Sequence, residues 1–460
     1  MNQLPNIIFI LADQQRWDTV GCYGQKLNIT PNLDKIASKG IRFENAFTCQ
    51  PVCGPARSCI QTGKYATQTG CYRNEIALPQ DEKTIAHWFL EVGYKVGYVG
   101  KWHLASTLGE SNEKIGKKND YTMKAIPLER RGGYKDYWIA SDLLEFTSHS
   151  YGGFLFDKNM NKVEFNCYRA DAITNYALDF IRQQNEKNPF FLFISYLEPH
   201  HQNDINRYEG PKGSRERFKN FEVPGDLLGT KGDWRKNFAD YLGSCNNIDY
   251  NIGRILDELE TINLIENTVL FYTSDHGSHF RTRNQNIKKG RDDYKRSCHE
   301  ASIRIPMIVY GPNFKGGRVI DELVSLIDVP PTLLSCASIF KSDYMQGRKL
   351  QDLVRHNINN WPEEIFIQIS ESQVGRAIRT KRWKYSVRAP EKDGMNDSHS
   401  NIYIEDFLYD LKADPYEKVN LVGRPQYRGI TDQLREKLKT KILEIEGKES
   451  EIKKAPFYSA

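Results

Sequence analysis

Four short apolar runs of the sequence each end in charged, amide or imidazole side chains. The runs are NIIFILAD, YKVGYVGKWHL, PFFLFISYLEPHH and NTVLFYTSDHG, and their ends carry Asp13 and Gln14, Lys101 and His103, His200 and His201, and Asp275 and His276. In doubly wound α/β folds, ligands bind beyond the carboxyl ends of the parallel strands. We therefore expect these side chains to meet at one edge of a sheet and to form a reaction site.

A further segment, CQPVCGPARSCIQTGKY, brings three thiols close together. Its PARSCIQTG part predicts a helix with a proline in the first turn and Gly63 as the stop. Cys53 would then lie at the helix N-terminus, where free N–H groups and the macrodipole favour anions, and Arg57 adds a positive charge one turn away. The pattern indicates that Cys53 is chemically special, whereas Cys59, in the helix body, is predicted to be a buried structural thiol.

Two structural interpretations of the same cysteines stay open at this point. A zinc site built from Cys49, Cys53, Cys59 and Cys71 would lack a Cys-x-x-Cys pair, which weighs against it. A buried, unreactive thiol is the usual fate of a single cysteine. The chain of 460 residues has nine cysteines, an odd number, and we expect no leader sequence, so disulfide bonds are not expected.

The elements that must position these residues are predicted by hydrophobic patterning. Apolar runs alternate with amphipathic segments, which is typical of an α/β fold with a large, mostly parallel sheet sandwiched by helices. Helices are predicted for TPNLDKIASKG, TIAHWFLEVG, ADAITNYALDFIRQQNE and FADYLGSCNNIDYNIGRILDELETI. The polar region 106–166 is an insertion, and we expect it to form loops that contact the substrate.

The pattern changes after Trp361. The segments RAIRTKRWKYSVRA and EDFLYDLKADPYEKVNL predict short antiparallel strands, and ITDQLREKLKTKILEIEGKE predicts an amphipathic helix. We therefore divide the chain into a catalytic domain, residues 1–360, and a small α+β subdomain with an antiparallel sheet, residues 361–460.

Charge and hydropathy exclude some classes of partner. The formal net charge is only +5, from 64 basic and 59 acidic residues, which is too little for a nucleic-acid-binding protein unless the charge is clustered. The first residues, MNQLPNIIFILADQQRW, have no basic start and no cleavage site, and their apolar run is too short to span a membrane. We expect a cytoplasmic protein without nucleic-acid or membrane partners.

The motif VCGPARSCIQTG resembles the Cys-x-Pro-x-Arg signature of the type I, formylglycine-dependent sulfatases of the alkaline phosphatase superfamily. Other landmarks of that family follow the expected order, namely LADQQ, GKWHL, PHH, TSDHG, KRSCHEASIRIP, AIRTKRWKY and LYDLKADPYEKVNL. The resemblance covers nearly the whole chain except the variable middle region. It implies a sulfuric ester hydrolase whose Cys53 is oxidised to formylglycine before folding, by a maturation enzyme that recognises the motif in the unfolded chain.

The resemblance also implies a mechanism and one divalent cation. One hydroxyl of the hydrated aldehyde attacks sulfur and the other collapses back to the carbonyl with release of sulfate, which a thiolate could not do. The implied metal ligands are Asp13, Gln14, the Cys53-derived hydroxyl, Asp275 and His276. Oxygen ligands favour Ca²⁺ or Mg²⁺, while His276 also admits Mn²⁺ or Zn²⁺, and Ca²⁺ is the ion we predict. Gln14 and His276 depart from the family pattern, in which Asp and Asn are frequent at these positions.

Further roles follow from the resemblance, and the predicted catalytic set is Cys53, Arg57, Lys101, His103, His200 and Lys295. The arginine and the two lysines would neutralise the sulfate oxygens. His103 would hold or deprotonate the formylglycine hydroxyl. His200, rather than His201, would protonate the leaving alcohol.

Several substrates and two other functions remain as alternatives. Sulfated mono- or oligosaccharides suit a polar rim, with alkyl, choline or aryl sulfates as alternatives, and four arginines are candidate ligands of a uronate: Arg130, Arg131, Arg215 and Arg217. The chain could instead hydrolyse phosphonate or phosphate esters, because the Asp275–His276 pair occurs in that branch of the superfamily. It could also be a non-catalytic sulfate-binding homologue whose Cys53 is never oxidised.

Overall fold

The computed structural model of the chain describes residues 4–108, 117–283, 293–339, 343–355 and 361–456. Its strands are β1 Asn6–Ala12, β2 Ile41–Phe47, β3 Lys95–Lys101, β4 Tyr137–Ser141, β5 Tyr151–Asp157, β6 Lys162–Tyr168, β7 Phe190–Ser195, β8 Thr268–Ser274, β9 Met307–Tyr310, β10 Arg318–Ser325, β11 Glu364–Ile369, β12 Gly375–Thr380, β13 Trp383–Arg388, β14 Ile402–Asp410 and β15 Glu451–Lys453. Its α-helices are α1 Pro31–Lys39, α2 Cys53–Thr62, α3 Ala66–Thr69, α4 Ile85–Glu91, α5 Leu144–Thr147, α6 Arg169–Ile181, α7 Ser214–Arg217, α8 Trp234–Thr261, α9 Glu300–Ile303, α10 Val329–Cys336, α11 Gln351–Val354 and α12 Arg428–Glu446.

The first sheet has ten strands in the order β10-β2-β9-β8-β1-β7-β3-β4-β5-β6. The five strands from β8 to β4 are parallel to one another, and β10 and β2 also pair parallel. Strands β9, β5 and β6 pair antiparallel. The predicted large, mostly parallel sheet is therefore confirmed.

Helices cover both faces of this sheet, as the sequence predicts. Alternate residues of β1 belong to different hydrophobic clusters: Phe9 packs on the side of α2, α4 and α10, and Ile10 on the side of α1, α6 and α8. Every residue of β1, β7 and β8 is buried. Strands that are buried on both faces read as continuous apolar runs, which explains why these segments lack a polar–apolar alternation.

The register of the central strands aligns the ends that carry the polar residues. Ala12 of β1 lies opposite Ser274 of β8, and Ser195 of β7 lies opposite both Leu11 of β1 and Gly100 of β3. Because the four strands are parallel, the residues that follow them emerge at one edge of the sheet. The expectation that four strand ends meet at one edge is confirmed.

The insertion between residues 106 and 166 contains strands as well as the expected loops, and its contact with the substrate stays a prediction. Of its described residues, those in β4, β5 and β6 extend the first sheet, and β5 and β6 form an antiparallel pair. The side chains of β6 alternate between exposed and half-buried positions, which is typical of an edge strand with one solvated face. Residues 109–116 lie outside the described residues.

The second sheet has the strand order β11-β12-β13-β14-β15. Its first four strands are antiparallel and β15 pairs parallel to β14, while the predicted C-terminal helix is α12. Phe366, Ile378 and Tyr385 belong to the same hydrophobic cluster as Phe9 of the first sheet. The boundary at residues 360 and 361 stays a prediction, since residues 356–360 lie outside the described ones.

None of the nine cysteines forms a disulfide, and seven of them are buried. Among the described residues, no helix combines the length and the apolar character needed to cross a bilayer.

Candidate active site

Cys53 is the first residue of α2, two residues earlier than the predicted helix start. Val52 before it is extended, and Gly63 ends the helix in a left-handed conformation with a φ of 72°. All ten residues of α2 are buried. The side-chain oxygen of Asn74 accepts a hydrogen bond of 2.9 Å from the Gly54 N–H, which binds one of the free donors in the first turn. The helix thus holds Cys53 firmly at its N-terminal end.

Two buried carboxylates follow adjacent strands next to Cys53. Asp13 follows β1, Asp275 follows β8, and the Asp275 N–H donates to the Ala12 carbonyl at 3.2 Å. The Oδ1 atom of Asp275 accepts hydrogen bonds from the N–H groups of Gln14 (3.0 Å) and His276 (2.9 Å). Its Oδ2 atom is buried and has no hydrogen-bond partner. An unsatisfied buried carboxylate oxygen is costly, and a bound cation would satisfy it.

Four potential ligand atoms converge around these carboxylates. One atom each from Asp13, Cys53, Asp275 and His276 lies within 4.8 Å of the others, and all four residues are buried. The His276 Nδ1 lies 2.9 Å from the Gly277 carbonyl and donates to it, so Nε2 keeps its lone pair and points to the Cys53 Sγ at 3.2 Å. This partner fixes the tautomer that metal-binding histidines require. The cluster fits one cation and excludes the all-cysteine zinc site, because Cys53 is its single thiol.

Two basic side chains neutralise the carboxylate pair. The Arg57 Nη2 donates to Asp13 Oδ2 at 3.0 Å and lies 3.5 Å from Asp275 Oδ2. The Lys101 Nζ lies 3.0 Å from Asp13 Oδ2 and 3.4 Å from Glu145. Against the effect of burial, Lys101 above all holds the pKa of Asp13 well below its ordinary value. Burial, with the charge of Asp13, raises the pKa of Asp275 to about 7.

Arg57 and Lys101 therefore contact carboxylates rather than the open cavity. Arg57 also donates to the Lys101 carbonyl (3.0 Å) and to the Ser195 hydroxyl (2.7 Å), which ties α2 to the ends of β3 and β7. Neither side chain is among the residues that line the cavity described below. Their direct contact with sulfate oxygens stays a prediction.

The Cys53 thiol is not an anion in this environment. Burial, and next the charge of Asp13, raises the pKa of the thiol to about 12. The expected anion-favouring effect of the helix N-terminus is thus outweighed by desolvation. Its Sγ donates to Asp13 Oδ1 at 3.3 Å and accepts from the Lys295 Nζ at 2.8 Å. An unmodified Cys53 would be a poor nucleophile at neutral pH.

Lys295 and His200 form a second pair beside Cys53. The His200 Nδ1 lies 2.5 Å from the His201 carbonyl and donates to it, so Nε2 accepts from the Lys295 Nζ at 3.2 Å. Burial, and next the charge of Lys295, holds the pKa of His200 well below its ordinary value. His103 is also neutral, because burial and Lys101 lower its pKa, and its Nδ1 atom is buried without a partner.

A cavity of about 320 Å³ joins these groups. It is lined by Gln14, Cys53, Asn74, His103, Glu145, His200, His201, Asn203, Asn206, Arg281, Asp293, Tyr294, Lys295 and Arg296. Five of the predicted site residues are in this wall: Gln14, Cys53, His103, His200 and Lys295. The four arginines proposed from sequence as uronate ligands are not in it; Arg131, for example, is buried and donates to the Ile126 and Lys158 carbonyls.

Strained backbone is concentrated in the cavity wall. Left-handed φ values occur at Gln14 (71°), His103 (59°), Asn206 (51°), Arg281 (60°), Asp293 (30°) and Arg296 (64°). Residues with side chains rarely adopt this conformation, and it is typical of functional sites. Sequence reasoning missed most of this wall because non-glycine residues in such conformations carry no local sequence signal.

Known proteins are similar to this chain along most of its length. A model of the sulfatase family matches residues 5–339, and a model described as N-sulphoglucosamine sulphohydrolase, C-terminal, matches residues 292–444. An ulvan-active sulfatase of Formosa agariphila is 29% identical over 96% of this chain and 81% of that protein. The N-acetylglucosamine-6-O-sulfatase of Bacteroides thetaiotaomicron is 25% identical over 92% of this chain and 83% of that protein. A sulfatase structure from Bacteroides fragilis has a TM-score of 0.78 and 27% identity, and covers 97% of this chain and 96% of that one.

Proposed function

Because this chain belongs to the sulfatase family, we propose that it hydrolyses sulfate monoesters of sugars by means of a formylglycine made from Cys53 and one bound divalent cation. The observation that carries the proposal is the position of Cys53. Its Sγ lies between Asp13 and His276 on one side and Lys295 on the other, at the base of a polar cavity.

The surroundings of Cys53 fit conversion to an aldehyde better than use of the thiol itself. The pKa of the thiol, raised to about 12 by burial, leaves almost no thiolate at neutral pH. The hydrated aldehyde would supply a hydroxyl that attacks sulfur and a second hydroxyl whose collapse releases sulfate. Cys53 is 1% exposed in the folded chain, so a maturation enzyme would have to act before folding. This partner is part of the proposal.

The buried cluster supports one divalent cation. Asp13, Asp275 and His276 would hold it, and the Oδ2 of Asp275, which has no hydrogen bond and only Arg57 at 3.5 Å, is the atom that most needs it. When bound, the cation supplies positive charge that acidifies the attacking hydroxyl and polarises the sulfuryl group. Two carboxylates favour a hard ion, and we propose Ca²⁺, with Mg²⁺ and Mn²⁺ as alternatives. Gln14 lines the cavity beside the cluster, and its Nε2 donates to the Tyr208 hydroxyl at 2.5 Å.

Lys295 and His200 are placed to act on the substrate. The Lys295 ammonium is 4% exposed and lies within reach of both Cys53 and His200, so it can neutralise a sulfuryl oxygen during attack. A bound sulfate would offset the Lys295 charge that lowers the pKa of His200. His200 would then take up a proton on Nε2 and deliver it to the departing alkoxide.

The polar character of the cavity supports a sugar as the leaving group. Its wall contains three asparagines, Asn74, Asn203 and Asn206, together with His201 and Tyr294. Amide side chains offer both donors and acceptors, as a ring of hydroxyl groups requires. The relatives named for sulfated-sugar substrates, including the N-acetylglucosamine-6-O-sulfatase, agree with this assignment.

The proposal is tested by comparing kcat/KM for a sugar sulfate, an aryl sulfate and an aryl phosphonate diester with the metal-loaded, converted protein. We expect turnover of both sulfates. A higher kcat/KM for the phosphonate would instead identify a phosphonate hydrolase, and no turnover with a fully converted Cys53 would identify a binding protein. Loss of turnover on chelation, with recovery on adding Ca²⁺, Mg²⁺ or Mn²⁺ singly, tests the metal and identifies the ion.

A further inference from the structure

We propose that the cavity selects sugars that carry a single anionic group, the sulfate to be cleaved, and that Glu371 and Asp293 impose this selection by neutralising two arginines of the wall. The inference rests on the proposed function and narrows its substrate class. It concerns the charges that a substrate meets in the cavity beyond the reacting sulfate.

Two of the three cations in the cavity wall are already paired with carboxylates. The Arg296 Nε donates to Glu371 in a close ion pair, with side chains 17% and 4% exposed. The Arg281 Nε donates to Asp293 Oδ1 at 3.0 Å, with side chains 28% and 31% exposed. Neither guanidinium is therefore an unpaired charge that a second substrate anion could use.

Lys295 is the one cation among the described residues of the wall that has no carboxylate partner. No carboxylate of the described chain forms an ion pair with its Nζ, whose contacts are the Cys53 Sγ at 2.8 Å and the His200 Nε2 at 3.2 Å. The single unpaired ammonium is at the place where the sulfate must react. A second sulfate or carboxylate would lose water without gaining an unpaired cation, which is unfavourable.

The remaining wall reinforces this selection. Its two carboxylates, Glu145 and Asp293, are paired with Lys101 and Arg281, and the neutral side chains Asn74, Asn203 and Asn206 suit hydroxyl or acetamido groups. A second anion would therefore gain no unpaired cation from these described residues, whereas an uncharged sugar ring would find hydrogen-bond partners.

Glu371 is held rigidly enough to act as a fixed counterion. It follows β11, it has a left-handed φ of 64°, and it is 3% exposed. Its Oε1 accepts a hydrogen bond of 2.7 Å from the Asn74 N–H, and its own N–H donates to the Gly394 carbonyl at 3.0 Å. The second sheet thereby controls the charge of Arg296, which lies beside Lys295 in the cavity wall.

The test uses pairs of sugars that share the cleaved sulfate and differ in a second anion, such as N-acetylglucosamine 6-sulfate and glucosamine 2-N,6-O-disulfate, together with galactose sulfates with and without a neighbouring uronate. We expect the converted enzyme to have the higher kcat/KM for the singly charged member of every pair that it cleaves. A preference for the doubly charged members would overturn the inference while leaving the sulfatase activity intact. Failure to cleave any sugar sulfate would overturn the proposed function itself.

Two variants test the named carboxylates. Glu371→Gln unpairs Arg296. Asp293→Asn removes the nearer of the two carboxylates paired with Arg281 and leaves only Asp233, at 3.9 Å, at a partly exposed site where folding is not at risk. In each variant the kcat/KM ratio of doubly to singly charged substrate should rise about tenfold, since a charge-assisted hydrogen bond becomes available to the second anion. Glu446→Gln is the matched control, because it breaks a buried pair with Arg376 (2.6 Å) outside the cavity wall and should leave the ratio unchanged. An unchanged ratio in Asp293→Asn and in a folded Glu371→Gln would contradict the inference.

Discussion

At the scale of single residues, the site separates groups that hold charge from groups that move protons. Asp13 and Asp275 are neighbouring carboxylates with opposite pKa shifts. Lys101 lies 3.0 Å from Asp13 and keeps it ionised, whereas the pKa of Asp275 rises to about 7 because of burial and the charge of Asp13. Asp275 can therefore lose its proton when a cation binds to the two carboxylates.

Metal affinity of the metal-free protein should therefore depend on pH through Asp275. Below pH 7 a proton occupies Asp275 and competes with the metal, so affinity should fall by up to about tenfold per pH unit; above pH 7 the dependence should flatten. Isothermal titration calorimetry of the metal-free protein between pH 5.5 and 8.5 measures this change in metal affinity. In Asp275→Asn the affinity should be lower throughout and the step near pH 7 should disappear. A step of the same size in that variant would assign the proton to another group.

His200→Ala should slow substrates according to their leaving groups. A sugar alkoxide needs a proton as it departs and a nitrophenolate needs little help, so we expect a loss of about 10²–10⁴-fold in kcat for sugar sulfates and a much smaller loss for nitrophenyl sulfate. Steady-state kinetics on both substrates checks this, with His201→Ala as the neighbouring control. Equal losses on the two substrates would remove His200 from the role of general acid.

At the scale of elements, the two sheets are joined by a buried ion cluster. The Lys384 Nζ of β13 lies 2.9 Å from Glu300 Oε1 of α9 and forms a close pair with Glu417, and the three side chains are at most 12% exposed. The Glu300 N–H also donates to Glu417 Oε2 at 2.7 Å. Helix α9 follows the segment that carries Lys295 and Arg296, so this cluster supports one wall of the cavity.

Lys384→Met should destabilise the protein strongly, because it leaves buried Glu417 without an ion-pair partner among the described residues and Glu300 with Arg379 alone. We expect a loss of about 3–5 kcal/mol in the free energy of unfolding, measured by denaturant titration. Lys381→Met breaks an exposed pair with Asp321 and should change stability by about 0–1 kcal/mol. Similar losses of unfolding free energy in the two variants would mean that the buried cluster contributes no more to stability than the exposed pair.

Elements with strong periodicity were predictable from the sequence, and the cavity wall was not. Parallel strands that end in Asp13, Lys101 and Asp275 must emerge at the same edge, so the base of the site follows from patterning alone. Glu145 comes from a short helix inside an insertion, and Glu371 comes from a strand end more than 300 residues after Cys53. Nothing local in the sequence relates such distant positions, since only tertiary packing brings them together.

At the scale of the whole molecule, the two sheets share one core. Phe366 and Ile378 of the second sheet belong to the same cluster as Phe9 and Phe271 of the first. The predicted boundary at residues 360 and 361 therefore separates two sheets that are packed together. The cytoplasmic location expected from the sequence stays a prediction, which fractionation of the source cells would test.

The shared core should make unfolding cooperative across the predicted boundary. Calorimetry of the full chain should give a single transition, and a chain that ends at residue 360 should fail to fold, because its core would expose the surface that the second sheet covers. Two separate transitions, or a stable and active fragment of residues 1–360, would show that the sheets are independent.

The central claim concerns the chemical state of Cys53, and one measurement tests it most directly. Preparations made with increasing amounts of a maturation enzyme are analysed by mass spectrometry of the Cys53 peptide and by turnover of a sugar sulfate. We predict that the converted peptide is lighter by the change from CH₂SH to CHO, that Cys49 and Cys59 remain thiols, and that kcat rises in proportion to the converted fraction from a value near zero. Full turnover in a preparation whose Cys53 is entirely a thiol would contradict the account.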